Sequence, residues 1–175
     1  MSAVKRACAA LYWLPSLILL TDLYTLKQVS GRSMQPTLNP DSSLLWRDIA
    51  IFEGLLTHYY GRYRRGDIVA FKSPDNAKYQ LVKRITAVEG DTVRTLPPYP
   101  DSEVVVPEGH IWVEGDAFHS QDSNLFGPVP LALVNSRLVY LIWPFRRFGS
   151  STSPANRGVH PRVTPAGGKI KSRMF

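Results

Sequence analysis

Hydrophobic patterning divides the chain into three parts. Residues 7–21, ACAALYWLPSLILLT, carry no charge and follow Lys5 and Arg6. With Asp22 tolerated near one end, the apolar run extends to Leu26, about the length that spans a bilayer. Pro15 is compatible with a membrane helix whose neighbours take up the freed carbonyl. A retained membrane anchor over residues 1–28 is expected. A cleaved signal peptide and an amphipathic targeting segment are the other readings.

From about residue 43 the apolar positions fall into short runs rich in β-branched and aromatic residues: SLLWRDIAIF, GDIVAF, YQLVKRITAVEG, DTVRTL, EVVVP, HIWVEGD and RLVYLIW. Turn residues separate them, among them Arg65-Gly66-Asp67, Glu89-Gly90-Asp91 and Pro107-Glu108-Gly109. The pattern predicts a mainly β domain over residues 29–148 with no long amphipathic helix. HYYGRYRRG, residues 58–66, reads as a basic, aromatic surface loop. From Gly149 the chain turns rich in Ser, Pro and Gly, which predicts a disordered basic tail over 149–175.

Composition supports this division. The 175 residues include 14 prolines and 12 glycines, which suits strands and turns better than a helical bundle. Cys8 is the single cysteine, so an intramolecular disulfide and a cysteine metal cage are both ruled out. The formal charge of +7 is concentrated at the end: residues 148–175 hold Arg157, Arg162, Lys169, Lys171 and Arg173 and no acid. The folded part is close to neutral, which argues against nucleic-acid binding.

Three stretches carry candidate chemistry. SGRSMQPTLNP, residues 30–40, presents Ser33 in a Gly/Pro-shaped loop, and its hydroxyl needs a base to react. Residues 79–87 read as a strand with Tyr79, Leu81, Lys83, Ile85 and Ala87 on one face. Lys83 is the only charge on that face. Apolar surroundings disfavour an ammonium, and a neutral amine can take a proton from serine. Alternatively, Lys83 reaches out to the sheet edge. GDAFHSQDSNLFGPV, residues 115–129, sets Ser120, Asp122 and Ser123 in a polar turn that is either a solvated loop or a support for the amine. Two rival sites compete: a Ser33/His119/Asp122 triad without a G-x-S-x-G elbow, and a metal site from His110, Glu114, Asp116 and His119 without H-E-x-x-H spacing. No metal or other cofactor is expected.

SMQPTL (33–38), RGDIVAF (65–71), VKRITAVEGD (82–91) and GD…SQDSNLFGPV (115–129), in this order, resemble the type I signal peptidases, membrane-bound Ser/Lys proteases. The wording SMQPTLNP, EGDTVRT, VPEGHIWVEGD and DSNLFGPV is most similar to the mitochondrial inner-membrane branch of that family. The resemblance implies antiparallel β-sheets with one N-terminal transmembrane helix, Ser33 as nucleophile and Lys83 as general base. Ser120, Asp122 and Ser123 would support the lysine and the site. It further implies cleavage of sorting presequences bound as an added strand, a sister catalytic subunit in one hetero-oligomer, and a catalytic domain facing the intermembrane space. A non-catalytic scaffold for that sister subunit is the alternative. Two positions depart from the family. Asn124 stands where most relatives carry arginine, so a salt bridge from that position is lost. Gly31 stands where bacterial relatives carry a serine that helps build the oxyanion hole, leaving the Ser33 N–H and an unassigned second donor.

Overall fold

The computed structural model describes residues 23–40, 47–54, 63–150 and 160–166. Of the membrane anchor expected over residues 1–28, residues 1–22 lie outside the described residues, while Tyr24–Gln28 form a sheet strand paired with Ile49–Glu53, so the end of that expectation is corrected. Among the described residues no helix is long and apolar enough to cross a membrane.

Among the described residues eleven strands succeed one another in chain order: β1 (Tyr24–Gln28), β2 (Ile49–Glu53), β3 (Ile68–Lys72), β4 (Gln80–Val88), β5 (Thr92–Arg94), β6 (Glu103–Val105), β7 (His110–Glu114), β8 (Val129–Pro130), β9 (Val134–Trp143), β10 (Gly149–Ser150) and β11 (Val163–Thr164). A four-residue helix, α1 (Ser123–Phe126), joins β7 to β8. Every pairing is antiparallel. The large sheet has the order β1-β2-β9-β3-β4-β7-β8, with β10 on β9, and a small sheet has the order β11-β5-β6. The expected mainly β, antiparallel architecture is the one observed.

Side-chain alternation decides what lies on each face of the large sheet. Along β3, Ile68 and Ala70 join a core with Met34, Leu38, Phe52 and Leu138. Val69 and Phe71 join another with Ile85, Ile111 and Val113. A strand buried on both faces reads as an unbroken apolar run, which is how IVAF appears in the sequence.

The strand that carries Lys83 differs from its predicted alternation at both ends. Tyr79 precedes β4 and is exposed. A register shift against β7 falls between Ile85, opposite Val113, and Ala87, opposite Trp112. Thr86 is the extra residue, and a bulge reverses the parity of the residues beyond it. Ala87 therefore packs with Val93, Val106, Trp112 and Val163 under the small sheet and does not share the face of Ile85.

The described parts of the C-terminal region are ordered, against the expectation of a disordered tail from Gly149. Gly149 and Ser150 pair with Leu141 and Tyr140. Val163 pairs with Val93 and is buried in the small-sheet core. One valine at strand spacing supplies the apolar anchor that the composition of the tail conceals. In the predicted surface loop, residues 58–62 lie outside the described set; Arg64 is exposed, but its neighbours on either side are held inward. Tyr63 is buried, and that burial pushes its pKa up to about 12. Arg65 makes a two-pronged bond to Asp91, with Nε donating at 2.7 Å.

Candidate active site

The Ser33 loop is held from behind by buried polar groups. Gly31 has φ +96°, a conformation that favours glycine. Leu38 N–H donates to the Met34 carbonyl at 2.8 Å, and both side chains are buried in the core. Asn39, itself at φ 51°, donates from Nδ2 to the carbonyls of Val29 at 2.9 Å and Gly31 at 3.3 Å, so one side chain ties both sides of the loop. The buried Asp48 carboxylate accepts from Asn39 N–H at 2.9 Å and from Arg147 at 2.8 and 3.0 Å. Arg147 also donates to the Thr37 carbonyl. Ser33 sits half-buried between exposed Arg32 and buried Met34.

Lys83 lies opposite Val69 in the β3–β4 ladder and is 2% exposed. It does not reach the sheet edge. Among the described residues it forms no ion pair. Desolvation lowers its pKa to about 8, and the charges of Asp122 and Asp116 oppose that fall only in part. The Asp116 carboxylate is already taken by Arg84, with Nε donating at 2.9 Å and Nη2 at 2.6 Å. Arg84 also donates to Thr37 Oγ1 at 3.2 Å, which links the strand of Lys83 to the loop of Ser33.

These parts meet at Gly115. One register step beyond the Arg84–Glu114 pair, Gly115 comes level with Lys83. A Cβ at Gly115 would stand 2.1 Å from Ser120 Oγ and 2.5 Å from the Ser33 carbonyl oxygen. Only glycine allows this approach. Ala117 N–H donates to the same Ser33 carbonyl at 3.1 Å, and Gly115 N–H donates to Asp122 Oδ2 at 3.1 Å. The backbone of Ser33, the hydroxyl of Ser120 and the carboxylate of Asp122 thus converge on one glycine beside Lys83. Ser120 Oγ is buried and makes no hydrogen bond among the described residues, so a donor and acceptor is held in reserve there.

Asp122 caps α1, accepting at Oδ1 from Asn124 N–H at 3.1 Å. Ser123 is fully buried and accepts from Val113 N–H at 3.0 Å, so it joins α1 to β7. Gly31 remains in the loop backbone, and among the described residues, chain neighbours aside, no atom lies within 4 Å of the place a Cβ would take. At the position where the resemblance implies a lost salt bridge, the Asn124 amide joins Glu114 Oε1 at 3.0 Å to Asp122 Oδ1 at 3.1 Å. Arg162, from the C-terminal segment, pairs with Glu114 at 2.7 Å.

Neither rival site assembles. His119 is exposed and stacks edge-to-face on Phe118, while the Asp122 oxygens are occupied by Gly115 and Asn124. Asp116 is bound to Arg84, Glu114 to Arg162, and His110 Nδ1 lies 2.9 Å from the Glu108 carbonyl. The described residues contain no group of three potential metal ligands. Sequence reasoning missed Gly115 and the Asn39–Asp48–Arg147 lock. A lone glycine between two acids, and partners 99 residues apart, leave no local pattern to read.

Comparison with known proteins gives a consistent answer. The family model for signal peptidase, peptidase S26, matches residues 2–97. The mitochondrial inner membrane protease subunit 2 of Schizosaccharomyces pombe is 43% identical over 147 residues, covering 83% of this chain and 79% of that protein. The subunit 2 of Saccharomyces cerevisiae is 38% identical over 149 residues, covering 84% of each chain. A mitochondrial inner membrane protease subunit 1, from Homo sapiens, is 42% identical over 123 residues, covering 69% of this chain and 70% of that protein.

Proposed function

The chain belongs to the signal peptidase family, peptidase S26, and from that premise we propose that it is a catalytic serine endopeptidase with a Ser33/Lys83 dyad. Its substrates are sorting presequences of proteins delivered to the mitochondrial intermembrane space. It works in the inner membrane as one subunit of a hetero-oligomer whose other member is a sister peptidase subunit. The N-terminal segment ahead of β1 anchors it, and the catalytic domain faces the intermembrane space.

The observation that carries this reading is Lys83: a buried amine with no ion pair among the described residues, its pKa lowered to about 8, beside the junction of Ser33, Gly115 and Ser120. In the proposed sequence the neutral amine takes the proton from Ser33 Oγ as that oxygen attacks the scissile carbonyl. The Ser33 N–H faces the developing oxyanion. The lysine ammonium then protonates the leaving amine, and the peptide bond breaks to leave an acyl-enzyme. Lys83, neutral again, deprotonates water, which attacks the ester. The proton returns to Ser33 Oγ as the acid product leaves. The Ser120 hydroxyl is the partner that orients the amine through the cycle, and Asp122 holds the turn that carries Ser120.

The test is presequence cleavage by the full chain with its sister subunit in a bilayer. Ser33→Ala and Lys83→Met should each abolish cleavage of this subunit's substrates at unchanged protein level. Near wild-type turnover in either variant would sink the dyad and favour the scaffold reading.

A further inference from the structure

The C-terminal segment enters the polar network behind the site through one side chain. Arg162 donates from Nη2 to Glu114 Oε2 at 2.7 Å and from Nη1 to the Arg94 carbonyl at 3.0 Å. Its carbonyl accepts from Arg94 N–H at 2.8 Å, and its neighbour Val163 is buried in the small-sheet core. Ala166 N–H donates to Asp91 Oδ1 at 3.1 Å. The guanidinium is therefore held by its own backbone and by the residues that follow it, and is aimed at a buried carboxylate.

Glu114 leads to the site in two steps. Its Oε1 accepts from Asn124 Nδ2 at 3.0 Å, and the same amide donates to Asp122 Oδ1 at 3.1 Å. The other Asp122 oxygen holds Gly115 N–H, at the glycine that packs on Ser33 and Ser120. Two carboxylates sharing one amide repel each other, and a cation on the outer one offsets that repulsion. We propose that Arg162 is a positioning residue of the peptidase site: the C-terminal strand delivers its charge to Glu114, which holds Asp122, and through it the environment of Lys83, in working order. This rests on the peptidase reading above.

The direction of the effect comes from the charges around each group. Glu114 faces Arg162 and His160 from the C-terminal segment. Lys83 faces Asp122 and Asp116, the latter paired with Arg84. Removing the Arg162 cation leaves Glu114 uncompensated, one shared amide away from the Asp122 carboxylate that faces Lys83, and the added negative charge favours the ammonium. The rising limb of the pH–rate profile should then move upward.

The test compares wild type, Arg162→Met and Arg162→Met/Glu114→Gln in the full chain with its sister subunit in a bilayer. It reads amide exchange at Gly115 and Asn124, both donors to Asp122, and the midpoint of the rising limb of cleavage. Arg162→Met should speed exchange at both amides and raise the midpoint by about half a pH unit, with an activity loss of about threefold at pH 7. The added Glu114→Gln should return the midpoint to its wild-type position. If Arg162→Met does not accumulate, Glu114→Gln alone should move the midpoint down. Unchanged exchange, or a midpoint that stays in place in these variants, overturns the proposal. Faster exchange with no presequence cleavage even by wild type leaves the coupling standing and refutes the peptidase reading instead.

Discussion

Asn39 and Asp48 hold each other by two reciprocal hydrogen bonds. Asn39 N–H donates to Asp48 Oδ2 at 2.9 Å, and Asp48 N–H donates to Asn39 Oδ1 at 2.8 Å. Both residues are buried, and Asn39 also holds the carbonyls on either side of Ser30. Asn39→Ala breaks this clasp and places alanine at φ 51°, where asparagine is better tolerated. We expect a stability loss of about 2–3 kcal/mol and a fall in kcat from a displaced Ser33. Urea unfolding and single-turnover cleavage check this. Wild-type values for both would remove the clasp from the account.

The Ser120 hydroxyl is buried without a partner among the described residues, so its removal should cost the fold nothing. Ser120→Ala is therefore expected to melt at or above the wild-type temperature. If that hydroxyl orients the Lys83 amine, its loss removes a hydrogen bond to a charged group, roughly 10- to 150-fold in rate. The two expectations point in opposite directions, and a variant that is both less stable and fully active contradicts them together.

Gly115 gives a sharper case. A methyl group there would lie far inside contact distance of Ser120 and of the Ser33 backbone. Gly115→Ala should cost about 1–3 kcal/mol through forced movement, and a displacement of the nucleophile by about an ångström costs on the order of 100-fold in rate. A melting curve with kinetics at saturating substrate tests it. Near-normal activity would mean that the Ser33 loop is not held by this contact.

Features set by neighbours in the chain are legible in the sequence. Lys83 stands out as a single charge on the apolar face of Leu81 and Ile85, and β3 as an unbroken apolar run. Ala87 is misplaced by simple alternation because a bulge depends on the register with Val113 and Trp112, which no single strand encodes. The C-terminal strand is hidden because Val163 and Arg162 find their partners, Val93 and Glu114, far back along the chain from a region rich in proline and glycine. Gly31 is legible as a departure from relatives, but its positive φ is visible only in the fold.

The low pKa of Lys83 predicts a pH dependence of stability as well as of rate. Folding lowers it from 10.5 to about 8, so between these values the unfolded chain binds a proton that the folded chain does not. Raising the pH through that window therefore stabilises the fold. Below about 8 both states are protonated and the full penalty for burying the ammonium is present, about 3 kcal/mol. Lys83→Met should be inactive yet more stable than wild type at pH 7. The gap should close as pH rises toward 10.5, while wild-type cleavage increases through pH 8. A flat rate profile, or a Lys83→Met variant less stable at neutral pH, would argue against a buried lysine base.

Gly31 separates space from backbone conformation. Among the described residues, chain neighbours aside, no atom lies within 4 Å of a Cβ built on it, so a side chain there has space. Its φ of +96° is the obstacle, since an L-residue held in such a region is strained by about 1–3 kcal/mol. Gly31→Ala measures that strain alone. Gly31→Ser carries the same strain and adds a hydroxyl two residues before the nucleophile, where it can donate to the oxyanion. We expect both variants to acylate more slowly than wild type and by the same factor, because both carry the same strain and another group of the site already supplies the second donor. A missing oxyanion donor typically costs about 100- to 1,000-fold, so a hydroxyl that filled such a gap would lift Gly31→Ser far above Gly31→Ala in single-turnover acylation. That result would show that the wild-type site runs with the Ser33 N–H as its only donor. Equal rates in the two variants would mean that a group already present in the site supplies the second.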